Sequence, residues 1–341
     1  MKRCILVLLL FTYILCGCRA IKTGSGIRPI SSQNFQLDTL VTLTIYDSGD
    51  QSIFQDVFNE IDRLEQILSA SAPGSDLDRL AQNAGKGYIE VSEDTLFLLL
   101  QCAEISNMSN GAFDCTVGPL ISLWNIKDSA GYYPASDELK EALSLIGYQN
   151  VLMRTDNQVM LKSPGMKVDF GGIAKGYIAD KVKELLTGKG VQSAVIDLGG
   201  NIVLVGGKPD GSSFRIGIRD PVEGGTGYLG IFESKDKSLV SSGTYERYFV
   251  HEGVPYHHIM DVHTGFPVEN ELLQVTVISG SSMECDGFST AVFALGLSRG
   301  LSLINGMQGA EAIFVTKDMK IYITDGIEDE FTVTSKAYEL Q

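Results

Sequence analysis

What most constrains this chain is the order of its elements. Helices and strands are both present, but never in the regular strand–helix–strand alternation that builds a parallel sheet. Between Leu37 and Tyr46, the apolar Val41, Leu43 and Ile45 alternate with Thr42 and Thr44, which predicts a strand. Phe54, Val57, Phe58, Ile61, Leu64, Ile67 and Leu68 then recur at three- and four-residue spacing, the pattern of an amphipathic helix. A second helix is predicted over about 92–109, stopped by Asn110-Gly111, and a third over about 173–186, ending near Gly188. Residues 151–154 and 158–162 flank Thr155-Asp156-Asn157 as a hairpin, and the Gly199-Gly200 and Gly206-Gly207 pairs also read as hairpin turns. Short strands are predicted at 194–198, 202–205, 214–218 and 275–278, a helix from near Asp286 to Leu295, and closing strands at 312–316 and 321–324. The mixture points to an α+β fold with antiparallel or mixed sheets and packed helices.

The N-terminus is a different kind of segment. Lys2 and Arg3 precede an apolar run from Ile5 to Leu15, too short for a bilayer-spanning helix and ending in small residues, as secretory signals do. Leu15-Cys16-Gly17-Cys18 resembles the bacterial lipobox, which implies a signal peptide over 1–17 and lipidation of Cys18. An ordinary cleaved signal ending in cysteine is the alternative. Residues 18–34, polar and without periodicity after the cysteine, are expected to be a flexible tether, leaving 35–341 as the folded domain. The lipid would make the protein an extracytoplasmic, membrane-anchored lipoprotein, most naturally on the periplasmic face. Cys102, Cys115 and Cys285 remain after the leader; an odd number without C-x-x-C spacing implies neither a disulfide framework nor a zinc site.

With 27 Lys+Arg against 42 Asp+Glu the formal charge is −15, which argues against non-specific nucleic-acid binding. An anionic ligand would need backbone dipoles or a bound cation to overcome that field. Three segments could do such chemistry. Asp169-Phe170-Gly171-Gly172-Ile173-Ala174-Lys175-Gly176 is predicted where a strand meets a helix; its glycines allow close backbone approach, and the helix start favours anions. It matches neither a Walker loop nor G-x-G-x-x-G, and a tight packing turn explains it equally well. Asp286 and Thr290 are four apart and share a helix face, where two hard oxygens can bind Mg²⁺ or Ca²⁺; an N-cap Asp and a surface Thr are the plainer reading. All four histidines, His251, His257, His258 and His263, lie within thirteen positions. Without an H-x-x-x-H pair, one of them as a general base fits better than zinc, and a structural cluster stays open.

Taken in order, these segments resemble the ApbE family of FAD:protein FMN transferases. The pieces are Gly111-Ala112-Phe113-Asp114 with Thr116 to Leu120 and Trp124; Asp169 to Asp180; Asp197 to Asn201; Ser242 to Arg247; His258 to Met260 with Thr264 to Pro267; and Asp286 to Thr290. The resemblance implies a two-lobed fold of duplicated T-fold-like units. It implies cleavage of the FAD pyrophosphate, transfer of FMN to a Thr or Ser hydroxyl of an acceptor flavoprotein, and release of AMP. The implied metal ligands are Asp286, Thr290 and the Gly172 carbonyl, with Ser289 beside them, for Mg²⁺ or Ca²⁺. Leu37, Ser71, Ala112, Phe113, Asp114, Asp169, Lys175 and Met260 match cofactor-binding positions, and His258 matches the base, with an ordinary histidine pKa suited to neutral pH. Implied acceptors are subunits of Rnf-type or sodium-pumping NADH:quinone oxidoreductase complexes. Ser71 stands where an aromatic residue or Asn is common, Leu37 where Met is, and Ala81 where Asn is. The Ser71 change bears on the balance between transfer and hydrolysis of FAD to FMN and AMP. A non-catalytic flavin-binding lipoprotein is the reading from another class.

Overall fold

The computed structural model describes residues 28–126, 131–222 and 227–341. The expected signal peptide and Cys18 lie outside these residues. A hairpin of β1 (Ile30–Gln36) and β2 (Thr39–Ile45) opens the fold. It is followed by α1 (Ser52–Leu68), α2 (Asp76–Gln82), β3 (Ile89–Glu90), α3 (Glu93–Met108), α4 (Gly118–Trp124), α5 (Ser136–Ser144), β4 (Val151–Met153), β5 (Gln158–Leu161) and α6 (Ala174–Gly188). Strands dominate next: β6 (Ala194–Leu198), β7 (Asn201–Val205), β8 (Phe214–Arg219), β9 (Tyr228–Ser234), β10 (Ser238–Gly243), β11 (Tyr248–His251), β12 (Val254–His257) and β13 (Leu272–Ser279). Helices α7 (Ser282–Leu295) and α8 (Leu297–Asn305) precede β14 (Glu311–Thr316), β15 (Lys320–Ile323), β16 (Phe331–Val333) and β17 (Glu339–Leu340).

Among the described residues the central sheet has nine strands in the order β1-β2-β6-β7-β10-β13-β14-β15-β17, antiparallel throughout except for β15–β17. The fold is α+β, as expected. The middle of the sheet is buried on both faces, which is why β14 is apolar without a break from Ala312 to Val315 rather than at alternate positions. Ala312 and Phe314 of β14 pack into the cluster formed with α1, α3, α6 and α7, while Ile313 and Val315 face the small β16-β9-β8 sheet. A third cluster joins α4 and α5 to β11 and Met260 around the fully buried Trp124, whose Nε1–H donates to the Gly265 carbonyl at 2.7 Å. No helix among the described residues is long and apolar enough to cross a membrane.

Three sequence expectations change. Residues 30–34, expected as tether, are strand, because β1 pairs along its whole length with β2. Its polar residues lie on an exposed hairpin, so the alternation that marks a half-buried strand is absent. The predicted strand start at Leu37 is instead the hairpin turn, with Leu37 and Asp38 both at φ +56°. Finally, α7 starts at Ser282 behind the N-cap Ser281, whose Oγ accepts from Glu284 N–H. Asp286 is therefore in the second turn and is not the cap. The Gly199–Gly200 turn is as expected, joining β6 to β7 with φ of +65° and +99°.

Candidate active site

The site grows from the contact between α6 and α7. Gly176, in the first turn of α6, lies so close to α7 that an added Cβ would be 2.2 Å from the Ser282 carbonyl oxygen and 2.7 Å from Asp286 Cβ. This approach lets Gly176 N–H donate to Asp286 Oδ2 at 2.9 Å. The amide-rich start of α6 therefore meets an anion, as a helix N-terminus favours, and the anion is a carboxylate from another helix. No strand precedes this helix, contrary to expectation; the run into it makes a single bridge, Lys167 to Val117. On the next turn of α6, Asp180 fixes the start of α7 by accepting from Ser281 Oγ at 2.8 Å, Ser282 N at 2.8 Å and Met283 N at 3.0 Å.

Lys175 is the electrostatic centre. Burial pushes the carboxyl pKa values of Asp286, Glu246 and Asp197 up, and the Lys175 ammonium pulls each of them back. Asp286 also raises Glu246, and Asp180 raises Asp286. Asn201, at the start of β7, is buried beside Asp286, and its side-chain amide favours the charged form of that carboxylate. Asp197 Oδ1 accepts from Gly200 N–H at 2.8 Å, which shapes the β6–β7 turn.

The two neighbouring histidines have different roles. His257 is buried with both nitrogens used: Nε2–H donates to the Val268 carbonyl at 2.9 Å and Nδ1 accepts from Ile259 N–H at 3.2 Å. His258 Nδ1 lies 3.2 Å from the Arg247 carbonyl oxygen. A carbonyl can only accept, so Nδ1 carries the proton and Nε2 presents its lone pair. Its surroundings push the His258 pKa down to about 4, through burial first and then the nearby Arg247 and Lys175 charges, with the Arg247 carbonyl opposing. The expectation of an ordinary histidine pKa is thus corrected, and His258 is neutral at pH 7. His258 is half-buried and Glu246 keeps solvent-accessible surface, so both are open to a ligand.

Opposite, Gly172, Thr290 and Phe113 converge. A Cβ on Gly172 would stand 3.1 Å from Thr290 Oγ1 and 3.3 Å from Phe113 Cε2. Thr290 is half-buried, one turn after Asp286, so the two share an edge of α7 as the spacing predicts. Ser289 leaves that edge: its hydroxyl is buried between Ser242 Oγ at 2.8 Å and the Asp286 carbonyl at 2.9 Å. Asp169 Oδ1 accepts from Gly171 N–H at 2.7 Å and so shapes the glycine turn.

Other expected residues are less central. Both Asp114 oxygens are engaged, Oδ1 by Thr116 N and Oγ1 at 2.8 and 2.7 Å and Oδ2 by Tyr148 N at 2.8 Å, so Asp114 organises its loop. Ala112 is half-buried in the turn before it, where its N–H donates to the Ser109 carbonyl. Met260 is buried in the Trp124 cluster. Leu37 is half-buried in the β1–β2 turn, where neighbouring Thr39 abuts Gly199. Ser71 is exposed after α1, and its hydroxyl pairs with Ser69 Oγ at 3.2 Å. The sequence reading assigned no role to Glu246, Asp197 or Asn201, although all three lie in the quoted motifs; a carboxylate or amide inside a glycine-bearing turn was the available signal.

A neutral imidazole, a lysine among carboxylates and hard oxygens on α7, linked through the Lys175 charge, are groups suited to group transfer in an α+β enzyme. Residues 37–314 match the ApbE family. The chain is 35% identical to an FAD:protein FMN transferase of Klebsiella pneumoniae over 302 residues, covering 88% of this chain and 93% of that protein. It is 32% identical to one of Treponema pallidum, covering 96% of each. The fold is similar to the crystal structure of an ApbE protein from Thermotoga maritima, with a TM-score of 0.81 at 28% identity, covering 89% of this chain and 99% of that one. The flavin transferase ApbE from Vibrio cholerae gives 0.78 at 26% identity, covering 91% and 98%. The chain belongs to the ApbE family.

Proposed function

We propose that this protein is an FAD:protein FMN transferase, attaching FMN through a phosphoester to a Thr or Ser hydroxyl of an acceptor flavoprotein and releasing AMP. The observation that carries this reading is His258: its Nδ1 is fixed on the Arg247 carbonyl, its Nε2 is available, and it shares the Lys175 field with Asp286. Nε2 takes the proton of the acceptor hydroxyl. The hydroxyl oxygen bonds to the FMN phosphorus, and the bond from that phosphorus to the bridging oxygen breaks, so AMP carries the electron pair away. Lys175 offsets negative charge on the phosphates.

The donor set fits a hard divalent cation, Mg²⁺ or Ca²⁺. A Cβ on Gly172 would stand 3.1 Å from Thr290 Oγ1, and Asp286 lies one helical turn before Thr290 on α7, so a carboxylate, a hydroxyl and a glycine backbone are the hard oxygens on offer. Among the described residues, no group of three or more His, Cys, Asp or Glu gathers to hold a metal alone, so phosphate oxygens would complete the shell. When bound, such an ion neutralises the pyrophosphate as it breaks. The acceptors we favour are subunits of Rnf-type or sodium-pumping NADH:quinone oxidoreductase complexes, met at the extracytoplasmic membrane face where lipid on Cys18 would hold the enzyme. Hydrolysis is the second reading, favoured by the exposed Ser71, which offers flavin no ring; water then replaces the acceptor hydroxyl.

The test incubates the domain lacking residues 1–18 with FAD, Mg²⁺ and an acceptor subunit. The proposal expects the acceptor to gain the mass of FMN while AMP appears in equal amount, and His258→Ala to keep FAD binding but lose transfer. FMN and AMP free in solution beside every unmodified acceptor would support hydrolysis instead. No turnover of FAD with any divalent metal would refute both.

A further inference from the structure

The β11–β12 hairpin is not used by the chemistry above, yet it ends one residue before His258. We infer that its outer face docks the acceptor polypeptide as an extended segment whose alternate side chains are apolar. This rests on the transferase reading and deepens it.

Strands β11 and β12 pair only with each other among the described residues. Their rungs are Tyr248↔His257, Phe249↔Tyr256, Val250↔Pro255 and His251↔Val254, and directly opposed residues share a face. One face is covered apart from Val254 at the tip, which is 49% exposed. Phe249 and Tyr256 pack on Trp124, and Tyr133 stacks on His251 with centroids 4.6 Å apart. The other face carries Tyr248, Val250 and Pro255 in a row, with Tyr248 45% and Val250 58% exposed. At its root His257 packs edge-on against Phe293 of α7, the helix that also bears Asp286 and Thr290. The next residue is His258, tied through both its backbone N–H and its ring to the Arg247 carbonyl, which directly precedes Tyr248.

The row ends at Tyr248, the residue after Arg247, whose carbonyl holds the His258 ring where the acceptor hydroxyl is proposed to arrive. Successive side chains on one strand face are about 7 Å apart, which is the spacing of alternate residues in an extended peptide. A segment with its Thr or Ser at His258 would lay its flanking apolar side chains on Tyr248 and Val250. The aromatic underlay holds the platform rigid, so little ordering cost is left for binding. An anionic membrane surface is a poorer occupant, because no Lys or Arg occurs from Tyr248 to His257 and the tip carries Glu252.

The test uses Tyr248→Ser with Val250→Ser, and separately Val250→Glu, in the full domain, with the acceptor domain of an Rnf-type subunit as probe. The inference expects KM for the acceptor to rise at least tenfold by the hot-spot scale of interface truncations. FAD turnover without acceptor, KM for FAD and Tm should stay at wild-type values. The conservative Tyr248→Phe with Val250→Ile should restore acceptor KM. An unchanged acceptor KM in both variants, with the wild type transferring, overturns the docking surface alone. A parallel loss of FAD turnover would assign these residues to FAD instead and also overturn it. Absence of transfer by the wild type, with FAD still hydrolysed, would remove the transferase reading and this surface together.

Discussion

Substituting Gly176 by Ala tests the α6–α7 contact from which the site is built. Helix propensity alone predicts stabilisation of about 1 kcal/mol, since Gly is the poorer residue in a helix. The structure predicts the opposite sign. The new Cβ would sit 2.2 Å from the Ser282 oxygen and 2.7 Å from both Asp286 Cβ and Met283 Cα. None of these atoms can rotate aside, so the helices must part by roughly 1 Å to reach ordinary contact. Overpacking costs about 1–3 kcal/mol. Stretching the Gly176 N–H bond to the Asp286 carboxylate adds about 1.5–3 kcal/mol. Net of propensity, the loss is about 1.5–5 kcal/mol, read as a lower midpoint in urea unfolding. Asp286 would shift with α7, and a misplacement on the order of 1 Å lowers turnover about 100-fold. Gly188, in the same helix with nothing within 4 Å of an added Cβ, is the control: its Ala variant should be neutral or slightly stabilised. A Gly176→Ala protein as stable and as active as the wild type would refute the packing argument.

Asp180→Ala removes the three hydrogen bonds that fix the start of α7, and should cost about 2 kcal/mol in urea unfolding; an unchanged midpoint would mean that α7 needs no such anchor. His257 is held down to about 4 by burial, against an ordinary value of 6.5. Between those pH values the unfolded chain binds the proton and the folded chain does not, so stability falls as pH falls through this window, by about 3 kcal/mol from this group at most. His257→Gln should flatten that slope in unfolding curves taken from pH 7 to pH 4, and an unaltered slope would contradict the assignment. Thr290→Val should leave Tm near wild type but weaken Mn²⁺ binding, followed by EPR, about tenfold by the scale of lost metal-site partners; equal affinity would remove Thr290 from the cation edge.

The long elements were legible because their cores are periodic. The Phe54-to-Leu68 spacing located α1, and the short apolar run in 194–198 located β6. Shorter pieces were not. β10 reads Ser-Leu-Val-Ser-Ser-Gly, and Ser238 and Ser242 are buried beneath α7, which no local pattern announces. Helices α4 and α5 are held by packing on Trp124 more than by their own periodicity. Within the site, His258, Asp286 and Lys175 could be named from the resemblance. Their electrostatics could not, because Glu246, Asp197 and Asn201 reach them only after four separate strands and helices are assembled. The low pKa of His258 has the same origin: burial is a property of the assembled fold and leaves no mark in the residues beside it.

In the transfer proposed above, with His258 as its base, that low pKa also bears on the timing of the reaction. An imidazole this weakly basic cannot remove a proton from a threonine or serine hydroxyl in advance, because the alkoxide would take it straight back. The proton can move only as the oxygen's electrons are drawn into the new bond to phosphorus. Proton transfer and phosphoryl transfer are thus bound into one event. A hydroxyl that lies beside His258 without a phosphorus in line stays protonated, and the enzyme carries no standing nucleophile between encounters with its two substrates.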